Sequence, residues 1–499
     1  MIGSTRLAGI WLAIALLLGA PGNQALANGD ALAKLEVAAS VPDGVLGDVV
    51  SAAGTLYFQG DAGAYAQEPG GAELWRSDGT EDGTQRVKDI EPGSTGSEPR
   101  DFVSAGDRVY FTANTNAHGR ELWTSDGTSD GTVRLTDVFD SGDAIELRFH
   151  ARVGNWLYVV LAEDEDDIPS RIWRTDGTPG NTELFVDIAN ESSLSDPGVG
   201  PLVEVQGTLF FGAAENPEPW ADFAGEKMEI WRSNDAGDGV TLAQDNLNMP
   251  AFRQPYWSKK FAAIGTNLYF VAGEPDDTST PVHADTLWRL DTSATPMTAE
   301  QVMGNVAPNM GPGSIDLLTA VGTKLFFVAN DAAEPDDRDE LTVWDDGASA
   351  EAMRTQLEVF QVEWIENIDG TAYLSGNRRD GEELWKSDGT DAGTEQVADV
   401  NPEPDFGDHH AKPRELTAAG DWLYFVATKE NADEEEVEGL WKTDGSEANT
   451  VAVTEGIGPN PNLAALNGTL YMAAIVYDNG ANNDGRELYK VTADSNGGD

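Results

Sequence analysis

The stretch ELWTSDGTSDGT occupies residues 121–132, and the chain carries two near copies, ELWRSDGTEDGT at 73–84 and ELWKSDGTDAGT at 383–394. Glu-Leu-Trp has strand character, and a strand sends successive side chains to opposite faces. The Asp-Gly pair has turn character. A short carboxylate accepts hydrogen bonds from backbone N–H groups ahead of it, and glycine admits positive φ. The motif therefore predicts a strand, a tight loop and a second strand that opens at the last Thr. It gives Asp78, Asp126, Asp176, Asp388 and Asp444 a scaffold role. Calcium ligation is the weaker reading, because one or two carboxylates fall short of the six or more oxygens calcium takes. Catalysis is weaker again, because copies scattered along a chain do not converge.

Aligned on the aromatic of this motif, the chain repeats at Trp75, Trp123, Trp173, Trp231, Trp288, Trp344, Trp385, Trp441 and Tyr489. A second motif precedes each copy, a Gly followed by an apolar-aromatic run. It reads GTLYF from 54, GDRVYF from 106, GNWLYVV from 154, GTLFF from 207 and GTNLYF from 265. It continues as GTKLFF from 322, GTAYL from 370, GDWLYF from 420 and GTLYM from 468. The two motifs interleave nine times with a period of about 52 residues, a length that belongs to solenoids and propellers. Each unit has four short strand-like runs joined by turn signals, and amphipathic helix patterns are nearly absent. Four antiparallel strands per unit make a propeller blade. The expected fold is all-β, one β-propeller of nine four-stranded blades over residues 28–499. The last unit has no convincing fourth strand, and residues 34–40 resemble one. An N-terminal strand is thus expected to complete the last blade. Eight blades with a divergent appendage is the alternative, since the sixth and seventh units are irregular.

The consensus ELWxSDGTxxGT resembles the bacterial ELWxxDGT repeat proteins. The resemblance spans nearly all of the chain beyond its leader. It is specific in units 1, 2 and 7, fair in 3 and 8, and eroded in 4, 5, 6 and 9. It implies an exported repeat protein and brings no activity with it. The loop is also similar to the Asp-box of sialidase-like propellers, although here the Trp precedes the Asp.

The leader is legible in the first residues. Arg6 precedes the run LAGIWLAIALLLGA, then Pro21 and Ala25-Leu26-Ala27. That order reads as a signal peptide over 1–27 with cleavage after Ala27, followed by no transmembrane segment. Export without any cysteine excludes a disulfide framework and suits a secreted or periplasmic protein. With 87 acidic against 31 basic residues the formal net charge is −56. Such a chain repels nucleic acid and anionic membranes. The partners it suits are glycans, basic protein surfaces and cations.

Propeller geometry places the loops between second and third strands on one face. They include acid-rich runs at 162–170, 273–281, 330–340 and 431–439. Asp164, Asp166, Asp276, Asp277, Asp336, Asp337, Glu434, Glu435 and Glu436 are the candidates for weak calcium binding there, with no resident cofactor expected. First strands line the central channel. Near their starts lie Arg100, Asp101, Glu146, His150, Asp316, Arg414 and Glu415, a mixed set able to hold a ligand or form ion pairs. His409 and His410 beside Asp408 are a further metal candidate that lacks a third ligand. The favoured expectation is a non-enzymatic binding or surface-interaction module. The alternative is a carbohydrate-active hydrolase or lyase at the channel mouth.

Overall fold

The structure is a computed structural model. It describes residues 30–34, 44–61, 71–138, 145–162, 169–194, 197–215, 227–234, 236–248, 260–273, 285–303, 315–330, 339–345, 354–378, 381–402, 410–430, 436–477 and 486–493. The leader at 1–27 lies outside them.

Almost every ordered element is a strand, and each repeat folds as an antiparallel meander. The second unit is typical. Its strands Arg100–Ala105, Arg108–Thr115, Gly119–Ser125 and Val133–Arg134 pair in sequence order. Among the described residues the strands gather in five sheets of four and two sheets of eight. Each eight-stranded sheet is two such meanders joined by a single residue pair, Asn248 with Gly273 or Phe360 with Asn377. The expected four-stranded units are therefore present.

The last unit draws on the N-terminus. Asp30–Lys34 pairs antiparallel with Glu487–Ala493, with Asp30 opposite Ala493 and Lys34 opposite Tyr489. The sequence placed this strand at 34–40. Residues 35–40 lie outside the described set, and the pairing strand is the segment just before them. A strand of one register is as apolar as the other here (DALAK against KLEVAAS), so periodicity alone could not choose.

The core sits between units, not inside them. Leu74 is wholly buried against Val109 and Phe111 of the second unit, whereas Trp75 packs on Tyr471 and Leu488 of the last. In the second unit Trp123 joins the cluster shared with the first, and Leu122 the cluster shared with the third. Leu and Trp of each motif thus face opposite neighbours, as strand alternation dictates. Burial of each such aromatic contributes roughly 2–3 kcal/mol. The first strands of successive units lie side by side, and that of the last unit, Asn462–Leu466, lies beside Val45–Ala52 of the first. The Asn462 side chain also accepts the Val49 N–H at 2.8 Å.

The Asp-Gly loop carries a second set of contacts between units. Gly127 has φ +86°, and a Cβ there would stand 2.7 Å from the hydroxyl of Tyr57 in the preceding unit. Gly177 meets Tyr110 in the same way, Gly445 meets Tyr373, and Gly79 meets Tyr471 of the last unit. Gly154, in the turn between first and second strands, also has positive φ but nothing within 4 Å. Gly154→Ala should therefore cost only the left-handed backbone penalty, about 1–2 kcal/mol. Gly127→Ala should cost more, by about 1–3 kcal/mol of overpacking, and Tyr57→Phe should recover part of that excess. Urea melts of the two single variants and the double variant check this. Equal losses at the two glycines would remove the Tyr57 contact from the account.

Candidate functional site

The motif loop is built as a closed hydrogen-bond circuit. Asp126 Oδ1 accepts from the backbone N–H of Thr128 at 2.9 Å and from its hydroxyl at 2.7 Å. The Thr128 hydroxyl oxygen then accepts the Gly131 N–H, and Ser125 and Thr132 share a buried hydroxyl pair at 2.8 Å. The same bonds recur at Asp78 and Asp388. In each loop they hold the Asp carboxyl well below its ordinary pKa. At Asp176 and Asp444 the second Gly is replaced by Asn181 or Asn449, whose side-chain amide donates to the carboxylate instead. A Cβ at Gly131 would fall 2.0 Å from Asp126 Oδ1. The second Gly of the motif is there for close approach, and Asn is the substitute that turns the approach into a bond.

The Glu of Glu-Leu-Trp escaped the sequence reading. Glu73 is fully buried and accepts from the Ile90 and Glu91 N–H groups, both at 3.0 Å, and from the Ser97 hydroxyl at 2.5 Å. Those donors lie in the linker to the next unit, so this carboxylate ties the linker to the third strand. Its return in units 1, 2, 4, 7 and 9 was the available signal. Burial raises the pKa of Glu73 and pushes that of Glu383 up to about 8.

Of the acidic-face candidates, Asp164, Asp166, Asp276, Asp277, Asp336, Asp337, Glu434 and Glu435 lie outside the described residues. Glu436 opens the strand Glu436–Thr443 opposite Glu430, where the sequence placed a loop. A loop assignment overlooked that the hairpin of the eighth unit extends its ladder. Asp408 and His409 also lie outside. His410 is committed to structure, its Nδ1 accepting the Glu382 N–H at 3.0 Å.

The channel candidates do not form one cluster. Arg100 is exposed and donates to the Ile145 carbonyl at 3.3 Å, while Asp101 accepts the Thr112 hydroxyl at 2.8 Å. Beside them the buried Arg120 reaches the Glu98 carbonyl at 2.8 Å, and burial lowers its pKa to about 10. Glu146 is half-buried at the head of Glu146–Val153. His150, in the same strand, is open to water yet flanked closely enough for desolvation to lower its pKa. Asp316 pairs at 2.7 Å with the buried Lys260. Arg414 pairs with Glu438 at 2.8 Å.

Glu415 is the exception. It occupies the same place as Asp101, five residues before the turn glycine, in a bulged strand and with φ +56° against +58°. A bulge of this kind re-aims a side chain. Thr112, which holds Asp101, has Val426 as its counterpart, so Glu415 has no hydrogen-bond partner among the described residues. It is exposed to water, but surrounding protein desolvates it and raises its pKa. Arg414, Asp48, Glu366 and Arg486 all act on its charge. Asp48 and Glu415 in turn support the charge of Arg486, which makes no ion pair within 4.0 Å among the described residues and keeps a buried, unpartnered Nε. The first, eighth and ninth units therefore bring together Asp48, Glu415 and Arg486, opposite charges with no ion pair among them within 4.0 Å. Asp48 and Arg486 were legible in principle: by strand register Asp48 holds the place of Asp101 and Glu415, and Arg486 precedes its Glu as Arg120 does.

No family model matches this chain, and no curated protein matches it. Solved structures do. It is similar to a prolyl endopeptidase, with TM-score 0.40 and 13% identity, covering 81% of this chain and 54% of that one. A puromycin hydrolase matches with TM-score 0.39 and 14% identity over 82% of this chain and 60% of the hydrolase. The β-propeller domain of the Trilobed protease from Pyrococcus furiosus matches with TM-score 0.37 and 12% identity, over 72% of this chain and 98% of that domain. The chain thus spans a little over half the length of the first two. The fold is a β-propeller, and no residue role is carried over. These neighbours correct the functional expectation. Their names are those of peptidases and a puromycin hydrolase, and stand against the surface-interaction module and the carbohydrate-active enzyme expected above.

Glu383 supplies a pH test of the linker tie. Its folded pKa stands above the unfolded value of 4.5, so the folded state binds the extra proton. The associated stability is complete below pH 4.5 and is lost as pH rises toward 8. Glu383→Gln keeps an acceptor for the Val400 N–H and carries no charge. It should match the wild type near pH 4 and exceed it by about 1–3 kcal/mol at pH 8. Denaturant melts across that range read the difference, and a constant gap at both ends would mean the carboxyl is not the source.

Proposed function

We propose that the nine units close into a single nine-bladed ring and that this ring is a peptidase-type propeller, admitting the end of an extended peptide at its channel wall. The observation that carries the peptide reading is the set around Glu415. A peptide amino terminus is an ammonium, and Glu415 and Asp48 supply carboxylates that no hydrogen bond occupies among the described residues. The carbonyl that follows the terminus is an acceptor, and the positive charge of Arg486 acts on both Glu415 and Asp48. Charge-assisted bonds of this type are about twice as strong as neutral ones. Closure is supported by the cluster joining Ala464, Leu466 and Tyr471 to Val49, Leu56 and Phe58, and by the pairing of Asp30–Lys34 with the last unit.

The peptide chemistry itself is not assigned to this ring. His118 and Asp137 make a 3.0 Å pair, but both are exposed and no serine hydroxyl bonds to that histidine among the described residues. The role proposed is selection and orientation of peptides. Export after cleavage behind Ala27, and kinship with the ELWxxDGT repeat proteins, belong to the same proposal.

Fluorescence anisotropy with labelled unstructured peptides tests it on residues 28–499. Acetylating the peptide amino terminus and the substitution Glu415→Gln should each weaken binding about tenfold, equivalent to about 1.4 kcal/mol, with the melting temperature unchanged. The two changes together should weaken it no further than one alone. Indifference to both would defeat the peptide-terminus reading.

A further inference from the structure

A cleft of about 260 Å³ lies at the seam between the second and third units. It opens beside the turns that join their first and second strands, next to the Asp-Gly loop of the third unit. Asp107 and Tyr110 line it from the second unit, and Arg152, Asn155, Leu157 and Asp176 from the third. The guanidinium lies over the neighbouring turn, since a Cβ at Gly106 would stand 3.2 Å from Arg152 Nη2. The Tyr110 hydroxyl lies against the loop, 2.9 Å from where a Cβ at Gly177 would be. Asp176, Asp107 and Arg152 all act on the charge of that phenol.

The fold makes no use of these groups. Arg152 is exposed. Among the described residues neither it nor Asp107, Asn155 or the Tyr110 hydroxyl makes a hydrogen bond, or an ion pair within 4.0 Å. The chain has 87 acidic residues for 31 basic ones, so this guanidinium is not left alone for want of acids. Arg108, the other cation beside Tyr110, is turned to its own unit, where it meets the Gly131 carbonyl and Asp126. Arg152 is also peculiar to its unit. It stands opposite Leu157 in the strand ladder, and the other units hold Ser, Ala, Asn or Glu at that register. Two of those residues are taken up within the fold. Asn367 bonds the Ala320 carbonyl and the Gly370 N–H, and Glu204 accepts the Gly207 N–H. Asp176 keeps its loop bonds to Thr178 and Asn181, which hold its carboxyl below the ordinary pKa and so ionised.

We infer that this cleft binds a free α-amino acid as its zwitterion, with the carboxylate on Arg152 and the Tyr110 hydroxyl and the ammonium on Asp107 and Asp176. The lining offers charges of both signs that are close together yet not in contact, and a zwitterion carries one of each on a short frame. A carboxylate alone would face two like charges, and an ammonium alone would face the guanidinium. Hydrogen bonds to ionised groups at both ends are of the strong, charge-assisted kind. The volume lies below the roughly 300–1,000 Å³ of pockets for drug-sized molecules, which limits the ligand to a small side chain, set against Leu157. The cleft stands at the turn ends of the second and third units, whereas Glu415 stands near the start of a strand of the eighth. The two sites are separate, and this one does not rest on the peptide reading.

Calorimetric titration of residues 28–499 with L-alanine tests this, run beside propionate, which lacks the ammonium, and ethylamine, which lacks the carboxylate. L-Alanine should bind, and each analogue should bind at least about tenfold more weakly. Arg152→Gln should weaken L-alanine binding about tenfold and leave the melting temperature unchanged, because Arg152 bonds nothing in the fold. Any of three results overturns the inference. The first is no heat with L-alanine up to about 10 mM. The second is equal binding of either analogue, which would mean a site for a single charge. The third is unaltered L-alanine affinity in Arg152→Gln, which would place the binding elsewhere, the carboxylates around Glu415 included.

Discussion

Everything in this molecule depends on apolar surface being shared between consecutive repeats. No unit has an interior of its own, because a single antiparallel meander has two faces and no core. The motif answers with Leu on one face and Trp on the other, so each third strand belongs to two clusters at once. A chain of such units leaves one apolar face exposed at each end. Covering those faces with each other removes both liabilities, and the cluster between first and last units does so. At Tyr57, Tyr110, Tyr373 and Tyr471 the second-strand hydroxyl also abuts a loop glycine of the neighbouring unit, where no side chain fits.

The same geometry explains where the scarce cations sit. In a chain of net charge −56, loops of successive units repel one another across each interface. Lys88, Lys324 and Lys386 each reach forward to a loop carbonyl of the following unit, all at 2.8 Å. Lysine is a compact charge on a long stem, suited to carbonyls at the end of a packed strand. The Lys88 and Lys386 bonds are half-buried, so salt screens them less than it screens the exposed Lys324 bond and the acidic surface. A highly acidic propeller can thereby keep cohesive seams while its outer loops stay anionic.

The architecture was legible because it is written nine times. Trp123, Gly127 and Asp126 each have counterparts, and repetition converts a weak local signal into a strong one. Positions that differ between units were illegible for the same reason. Glu415 resembles Asp101 in sequence, and only the replacement of Thr112 by Val426 on the paired strand separates a satisfied carboxylate from an unsatisfied one. Arg486 looked like an ordinary flank of the Glu-Leu-Tyr run, because its placement beside Asp48 needs the contact between last and first units. The Glu of the motif was visible but uninterpreted, since its donors sit in a linker 17 or 18 residues away. The closing strand was displaced by several residues because two adjacent apolar segments suit one edge.

Repetition also says which departures carry information. Units that share their apolar faces need interfaces alike, so unit-to-unit changes at Leu, Trp and the loop Gly are costly, and these positions hold where the motif is intact. First strands contact each other only at their edges, and their inner ends are free of that constraint. Two adjacent places vary there, one holding Arg100, Asp316 or Arg414 and the next Asp48, Asp101, Leu317, Trp364, Glu415 or Asn462, depending on the unit. Trp364 uses its indole to bond the Pro413 carbonyl at 2.7 Å, Asn462 caps Val49, and Asp316 neutralises Lys260. Each of these variants is consumed by a neighbour. Glu415 has no such bond among the described residues, and it shares its positive φ with Asp101 and with the buried Leu317, because that backbone shape belongs to the bulge of this strand. The bulge is thus a constant of these units, and what varies is the side chain that it presents.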